Sequence, residues 1–424
     1  MEVTRAYKFR IYPDAKRQSE IDYRLILAQQ FYNKILEKSI AFYKDGKAKV
    51  SMAQFNRFVK EILQENKDFM LLYSQTRCEI EYRLFKAYSN FFRRCKEGKG
   101  KKGFPRFRSR NRYKSLTYPQ DNGSFGIERI KKKDRLRVSR IGTMKIELHR
   151  KIEGTIKTLS IKREAGNYYA IFTTVKEINP PKIKDTKPVG IDMGLNSFIA
   201  ISDGTKIEKP KFVKRRAKRI AHWQRVVARR TRWEGNRLAR EQSKNRDKAK
   251  LRLQREWEHA TNQSNDFAHK LTDKLINSGY TSFAVEKLNI QNMAKNHNLA
   301  QAIYNASWNK FFQMLSYKAE SAGMGVNPVD PKNTTQECSR CHNIKEGKDR
   351  LTLKDRVYRC FVCGLELDRD INASINILAK GREGHSRTNA SGDATSAIHQ
   401  ESQIASMNQE HTLQPMAAGE AHML

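Results

Sequence analysis

The stretch Val189-Gly-Ile-Asp-Met-Gly-Leu195 decides how the second half of the chain folds. Its apolar residues occupy alternate positions, which is the pattern of a β-strand that buries one face. Asp192 then points to the opposite face, and Gly190 and Gly194 leave the space on both sides of it free. The stretch therefore predicts a strand that carries an acidic side chain close to its end.

Two further acidic residues occupy comparable positions farther along the chain. Glu286 ends the predicted strand Thr281-Ser-Phe-Ala-Val-Glu286, and Asp370 precedes a predicted short helix. Asp368 lies so close to Asp370 that either residue could cap this helix. We expect Asp192, Glu286 and Asp370 to converge, because three acids gathered in a strongly basic protein imply a cation between them.

The chemistry that suits these carboxylates is magnesium-dependent. Hard oxygen ligands hold Mg²⁺ and leave coordination positions open for water and phosphate. Two such ions, roughly 3.5–4 Å apart, can activate an attacking water and stabilise a leaving oxygen. A single Asp beside a Gly is more often a turn residue, so the prediction of a phosphodiester-cleaving site depends on the three acids together.

The motifs Cys338-x-x-Cys341 and Cys360-x-x-Cys363 are typical of a zinc ribbon. Each motif can present two thiolates to one side, so the pair predicts a closed tetrahedral Zn²⁺ site. Because sulfur would fill every coordination position, this zinc would be structural. Disulfides or redox dithiols are the alternative interpretation, and the absence of a thioredoxin-like context disfavours it.

Charge dominates the composition, since 83 Lys and Arg residues against 45 Asp and Glu give a net charge of +38. This excess predicts a polyanionic partner, and nucleic acid is favoured because each neutralised phosphate releases a counterion. A membrane surface would instead require an amphipathic or lipidated anchor, which the sequence does not show. With neither an apolar spanning run nor a signal segment, the expected location is the cytoplasm.

The first half of the chain predicts a β domain interrupted by helices. Basic and apolar residues alternate over Arg5–Tyr12, and 159–162 and 168–175 have strand composition. Between the first of these strands and the other two, apolar residues at three-to-four spacing from about Ser19 to Arg94 predict a helical bundle. Beyond the bundle, a basic stretch from 211 to about 260 predicts helices with a break near Gly235, and a separate helix is predicted over 266–276. Two more helices are predicted, one through Trp308 and Leu315 and a short one over 372–379.

The loop Gly103-Phe-Pro-Arg-Phe-Arg-Ser-Arg110 places guanidinium groups beside aromatic rings, a mixture that suits phosphate contact and base stacking. A pair of core phenylalanines with solvated arginines is the alternative interpretation. The candidate nucleic-acid contacts are Phe104, Arg106, Phe107, Arg108 and Arg110 in this loop, Lys8 and Arg10 in the first strand, and Arg215 and Arg216 in the basic helices.

Together these motifs resemble one known family. The stretch 189–195 with Ile201-Ser-Asp-Gly, Val285-Glu-Lys-Leu, the paired cysteine motifs and Asp368-Arg-Asp-Ile-Asn-Ala are similar to the TnpB proteins of bacterial insertion sequences. These proteins are related to the small type V CRISPR effectors. Phe104-Pro-Arg-Phe and Phe172-Thr-Thr-Val add weaker matches in the first half, so the resemblance covers nearly everything before the C-terminal tail.

The resemblance implies a multi-domain α/β fold with a β-barrel-like wedge domain, a helical insertion, and an RNase H-like (RuvC) domain with an inserted zinc ribbon. The implied domains are a wedge-like domain at 1–18 and 104–180, a helical recognition domain at 19–103, a RuvC-like domain at 186–335 and 366–380, a ribbon at 336–365 and a disordered tail at 381–424. Asp192, Glu286 and Asp370 map to the family's three acids. Gln75 and Arg77, in the helix around Tyr73–Tyr88, become candidates for reading a short DNA motif.

The implied activity is RNA-guided DNA cleavage in a bacterial or archaeal cell, with Mg²⁺, structural Zn²⁺, a guide RNA from the transposon end and double-stranded target DNA. Base pairing with the guide would select the target, while the protein would read the flanking motif. Three alternatives stay open: a small type V CRISPR effector, an unguided transposase or nuclease, and a nuclease-inactive, RNA-guided DNA-binding regulator.

Overall fold

The computed structural model describes residues 2–46, 50–98, 103–110, 112–130, 133–179, 181, 187–194, 197–210, 212–235, 237–239, 242–287, 308–352 and 355–388. Two compact units divide the chain. Met1–Pro181 and Lys211–Asp266 form unit 1, and Lys182–Pro210 and Phe267–Leu424 form unit 2. The basic segment 211–266, which the predicted nuclease domain included, therefore groups with unit 1.

Unit 1 contains a seven-stranded antiparallel sheet of order β2-β6-β7-β1-β5-β4-β3. Its strands are β1 (Glu2–Tyr12), β2 (Ser115–Tyr118), β3 (Phe125–Ile130), β4 (Lys133–Val138), β5 (Gly142–Glu147), β6 (Thr155–Glu164) and β7 (Asn167–Glu177). The alternation predicted for β1 is confirmed, because Tyr7, Phe9 and Ile11 are buried while Lys8 is exposed. Pairing of β2 with β3, which would close a barrel, is not seen in the described part of the sheet.

The helical bundle predicted after the first strand is confirmed. It comprises α1 (Ala15–Gly46), α2 (Met52–Glu65) and α3 (Ser74–Glu97). Ser51 caps α2, since its side chain accepts a hydrogen bond from the amide of Gln54. Buried residues of the bundle and of the sheet form one hydrophobic core within unit 1, which includes Phe31, Leu84 and Phe172.

The basic segment that follows differs from the prediction in one respect. It forms α4 (Phe212–Arg229), a two-stranded hairpin of β11 (Trp233–Glu234) and β12 (Arg237–Leu238), and α5 (Lys244–Ile276). The break predicted near Gly235 is thus a hairpin turn. The second predicted break, between 260 and 266, is wrong: α5 continues through it because that stretch contains neither Gly nor Pro.

Unit 2 contains a five-stranded sheet of order β10-β9-β8-β13-β14. Its strands are β8 (Pro188–Asp192), β9 (Ser197–Ile201), β10 (Lys206–Glu208), β13 (Ser282–Glu286) and β14 (Gly325–Val329). The first three strands run antiparallel, whereas β8, β13 and β14 run parallel to one another. Strands β8 and β13 both end on the acidic residue that the sequence singled out.

Unit 2 also contains the end of α5, from residue 267, together with α6 (Trp308–Ser321) and α7 (Arg369–Thr388). The last helix is longer than predicted, since it begins before residue 372 and reaches eight residues into the predicted tail at 381–424. It lies directly on β8, because a Cβ added at Gly190 would meet the Ser374 carbonyl oxygen at 2.0 Å. Gly190 therefore permits the close approach that brings α7 to the acidic strand. The rest of the predicted tail, residues 389–424, lies outside the described residues.

The second cysteine motif lies in the turn of a short hairpin in unit 2, and the first motif precedes that hairpin in the sequence. The hairpin is formed by β15 (Val357–Arg359) and β16 (Glu366–Asp368), which pair antiparallel. Strand β16 leads without a break into α7. The helices that the structure describes are all too short or too polar to cross a membrane.

Candidate active site and metal centre

Strand register places Asp192 and Glu286 side by side. Strands β8 and β13 are parallel, and their pairing extends to Ile191 opposite Val285. The next residue on each strand is the acid, so the two carboxylates occupy equivalent positions at the carboxyl edge of the sheet. Both are buried, with 8% of Asp192 and 7% of Glu286 exposed. Side chains 94 residues apart in the sequence thus become neighbours through sheet pairing.

The two acids at the start of α7 have different roles. Asp368 caps the helix, because its Oδ1 accepts the amides of Asp370 at 2.9 Å and Ile371 at 3.2 Å. Asp370 instead turns toward the sheet, where its Oδ2 accepts a hydrogen bond from Ser197 Oγ at 3.1 Å. Since Ser197 begins β9, the neighbour of β8, the contact draws Asp370 toward Asp192.

The charges of Glu286 and Asp370 both act on the carboxyl group of Asp192. The pKa of Asp192 is raised well above its usual value, first by burial and then by the charges of Glu286 and Asp370, against the opposing charges of Arg369 and Lys206. Burial also raises the pKa of Glu286, although the Thr334 hydrogen bond and the charge of Lys380 oppose it. A buried group of like charges is costly on its own, and a divalent cation would relieve that cost.

Lys206 supplies part of the compensating charge within the protein itself. Its Nζ lies 2.5 Å from Asp368 Oδ1 and 3.4 Å from Asp370 Oδ2. Burial alone would raise the pKa of Asp368, but the Lys206 hydrogen bond and the helix amides hold it below its usual value. Asp368 is therefore already satisfied by a lysine and by amides, whereas Asp192 and Glu286 contact no cationic side chain within ion-pair distance among the described residues.

Thr334 is a site residue that sequence reasoning missed. Its buried hydroxyl donates to Glu286 Oε1 and orients that carboxylate. A second missed pair is Asn372 and Asn376, on α7. Thr334 and Asn376 lie outside the predicted sequence motifs, and Asn372 lies within 368–373 but was given no role there; Glu286, the partner of Thr334, and the partners of both asparagines are at least 33 positions away.

The four predicted cysteines come together in unit 2. Cys338 Sγ lies 3.6 Å from Cys363 Sγ, and Cys341 Sγ lies 3.5 Å from Cys360 Sγ. All four sulfurs lie within 4.8 Å of one another. Tetrahedral zinc with Zn–S bonds of about 2.3 Å requires sulfurs about 3.8 Å apart, so these residues fit structural Zn²⁺. Within the described residues the three carboxylates do not form so tight a group.

The ribbon is tied to the helix that carries Asp370. Asn372 accepts the Ser339 amide at 3.0 Å and donates to the Glu337 carbonyl at 2.7 Å. Asn376 donates to the carbonyls of Glu337 at 2.7 Å and Thr334 at 2.9 Å. One face of α7 thereby holds the ribbon and the segment that orients Glu286.

The residues predicted to contact nucleic acid lie in unit 1. Several of them already interact with another side chain of the protein. Lys8 forms an ion pair with Glu164 at 2.7 Å, and Arg10 donates to Asn167. Arg216 pairs with Glu256 at 2.6 Å, whereas Arg215 is exposed. Gln75 donates to Gln120.

In the loop at 103–110, one phenylalanine is packed against other rings and the other is exposed to solvent. Phe104 packs against the rings of Tyr88 and Phe91, as in the core-phenylalanine interpretation, while 56% of Phe107 is exposed. Arg106 and Arg110 are exposed, and the backbone of Arg108 is held by Asn33. Arg77 donates to the carbonyls of 69, 70 and 72, and its pKa is lowered by burial.

Three family models match the chain. Residues 308–377 match the model described as "Cas12f1-like, TNB domain", and residues 170–297 match "Probable transposase" of the IS605 OrfB type. Residues 1–48 match the associated "Helix-turn-helix domain". In this chain that last segment folds as strand β1 followed by α1.

Similar proteins cover most of the chain. A Streptomyces pristinaespiralis protein named "Putative RNA-guided DNA endonuclease" is 30% identical over 90% of both chains. "Putative RNA-guided DNA endonuclease InsQ" of Escherichia coli K12 is 27% identical over 70% of this chain and 72% of its own. A Cas12f1 endodeoxyribonuclease of Sulfoacidibacillus thermotolerans is 31% identical over 26% of this chain and 25% of its own.

A solved Cas12f1–sgRNA–target DNA complex contains a chain of the same fold. Its TM-score is 0.57 at 14% identity, over 89% of this chain and 98% of that one. Fold and site thus define an α/β protein with a buried acidic centre beside a four-cysteine ribbon. The chain belongs to the TnpB family.

Proposed function

We propose that the chain is an RNA-guided DNA endonuclease encoded by an insertion sequence, which hydrolyses phosphodiester bonds of target DNA next to a short flanking motif. The observation that carries the proposal is the meeting of Asp192 and Glu286 on adjacent parallel strands with Asp370 turned toward them. The names of the relatives from Streptomyces pristinaespiralis and Escherichia coli support the guided activity and a prokaryotic cytoplasm as its location.

Asp192, Glu286 and Asp370 would hold two Mg²⁺ ions. Bound Mg²⁺ would lower the pKa of an attacking water and stabilise the leaving oxygen. The charges of Glu286 and Asp370 both raise the pKa of Asp192, so a cation bound by these acids would restore Asp192 to its charged form. Thr334 and Ser197 would keep the Glu286 and Asp370 carboxylates oriented. As the water oxygen bonds to phosphorus, the bond from phosphorus to the leaving sugar oxygen breaks.

We assign unit 2 to the RuvC-like nuclease domain and its inserted zinc ribbon. The order β10-β9-β8-β13-β14, with three antiparallel strands followed by two parallel ones, supports an RNase H-like sheet. In unit 1, the sheet would be the wedge-like domain and helices α1 to α3 the recognition domain. The net charge of +38 would serve mainly to hold guide RNA and the RNA–DNA helix.

The test begins with the nucleic acid that co-purifies with the protein. A discrete structured RNA is expected, and with it the protein should cut a plasmid library beside one enriched flanking motif in Mg²⁺. Asp192→Ala should abolish cutting while target binding persists. Absence of a discrete RNA would overturn the guided reading, and unaltered cleavage by Asp192→Ala would overturn the site.

A small CRISPR effector is the second candidate, favoured by the Cas12f1 similarity. The insertion-sequence form is preferred because the two named relatives match over 70–90% of this chain, against 26% for Cas12f1. A CRISPR array or transposon ends beside the gene would decide between the two.

A further inference from the structure

Trp233 is an exposed tryptophan on a rigid support. It lies in the hairpin between α4 and α5, and 64% of it is exposed, the largest value among the described large apolar side chains of unit 1. Trp308 in unit 2 is buried, and Trp223 in α4 carries the guanidinium of Arg252 at 4.8 Å from its ring centre. An exposed indole combines a large flat ring with a polar N–H, which suits stacking on a nucleic-acid base.

The hairpin that presents Trp233 is held by side chains on both sides. Gln242 accepts the amide of Arg232 at 3.1 Å and donates to its carbonyl at 3.0 Å. Arg246 donates to Thr231 at 3.0 Å, and the Thr231 hydroxyl donates to the Val227 carbonyl. The residues before Trp233 are therefore fixed to both α4 and α5. The backbone that carries the indole is held in place by these contacts.

The surface around the indole is cationic. Arg225, Arg229 and Arg232 are exposed, and no carboxylate lies within ion-pair distance of them among the described residues. Glu234 is the acidic side chain described in the hairpin. Arginines at the C-terminal end of α4 also interact favourably with the helix dipole. This interaction explains the position of the arginines but not the exposed ring among them.

We propose that Trp233 stacks on the terminal base pair of the helix between guide RNA and target DNA, with Arg229 and Arg232 contacting phosphates beside that end. The inference rests on the proposed function. No other described ring lies against Trp233, so it offers a single platform. An extruded base is normally enclosed by a pocket. The flat end of a base-paired helix, by contrast, requires one stacking surface. The exposed arginines match phosphates, which an apolar protein partner would not provide.

The experiment uses the full chain with its guide RNA, in an Asp192→Ala background so that target DNA stays intact. The fluorescent base 2-aminopurine is placed in the target strand at each end of the RNA–DNA helix and at an interior position. Trp233→Ala should raise the signal at one end only and weaken target binding by roughly 5- to 100-fold. Trp233→Phe, which keeps a ring, should lie close to the parent protein.

Intrinsic fluorescence supplies the second measurement. The difference between the parent and Trp233→Phe isolates this indole, and Trp223→Phe is the matched control in the same helical region. Quenching of Trp233 should appear on addition of target DNA to the RNA complex. Complete quenching by guide RNA alone, or an unchanged end signal in Trp233→Ala, would overturn the proposal.

Failure of the proposed function would look different. In that case no discrete RNA would accompany the parent protein and no RNA-dependent target binding would occur. Target binding by Trp233→Ala equal to that of the parent in the Asp192→Ala background would contradict only the stacking role. Because Trp233 is exposed, its replacement should not disturb folding, and unchanged thermal unfolding of unit 1 verifies this.

Discussion

The acidic centre of unit 2 and the basic surfaces of unit 1 show two ways of building function. The centre uses a few buried side chains whose positions depend on strand register and on a helix that crosses a glycine. The basic surfaces use many arginines and lysines in local sequence, several already paired with nearby acids. Metal-dependent cleavage requires exact geometry, whereas attraction to phosphates depends on summed charge. Single substitutions should therefore have large effects at the centre and small effects on the surfaces.

The largest effect is expected from Asp370→Asn compared with Asp368→Asn. Asp370→Asn removes a charge from the proposed metal ligands and should reduce DNA cleavage by roughly 10³-fold or more. Asp368→Asn keeps a good helix cap and should retain most activity. Guided cleavage rates at fixed Mg²⁺ check both, and equal losses in the two variants would refute the assignment of separate roles.

The ribbon provides the next effect. Cys341→Ser should release zinc and lower the thermal stability of unit 2, because binding of structural zinc contributes directly to folding. Cleavage should fall as well, since the ribbon contacts the helix that carries Asp370 through Asn372. Zinc content by mass spectrometry, the unfolding temperature and cleavage are the measurements.

Cys78→Ser is the matched control for the ribbon, since Cys78 is an exposed free cysteine in α3. It should leave zinc content and activity unchanged. Full zinc retention in Cys341→Ser would contradict the four-sulfur site.

Thr334→Val tests how much orientation matters at the centre. The substitution leaves the Glu286 carboxylate without its buried donor, so cleavage should fall roughly 10- to 100-fold and require more Mg²⁺. Thr334→Ser restores the hydroxyl and should recover most of the activity. If Val and Ser variants behave alike, the loss comes from packing and not from the hydrogen bond.

The smallest effect is expected at the basic surface. Arg215 is exposed on α4, and Arg215→Gln should weaken RNA or target binding by less than about tenfold and lower the salt slope by about one. Arg216→Gln, which breaks the pair with Glu256, should instead lower stability. Binding measured over a salt series and thermal unfolding distinguish the effect of Arg215→Gln from that of Arg216→Gln. If Arg215→Gln reduced cleavage as much as Asp370→Asn does, the contrast between the acidic centre and the basic surfaces would be wrong.

Local patterns were enough to predict the strands that carry Asp192 and Glu286 and the grouping of the four cysteines. Alternation around Asp192, the acid that ends β13 and the spacing of the cysteines each depend on residues within a few positions, and the structure confirms the strands and the cysteine cluster. Local patterns suffice here because side-chain direction and knuckle geometry follow from the backbone of a short segment.

Which polar groups meet depends on how distant segments of the chain pack together. Asp368 and Asp370 are both acids at a helix start, and their roles separate because one meets amides and the other meets Ser197, 173 residues away. Thr334 likewise acquires its role from Glu286, and Phe104 turns inward because the rings of α3 lie beside it. Such contacts join distant segments, so they depend on packing of whole elements, about which a local pattern carries no information.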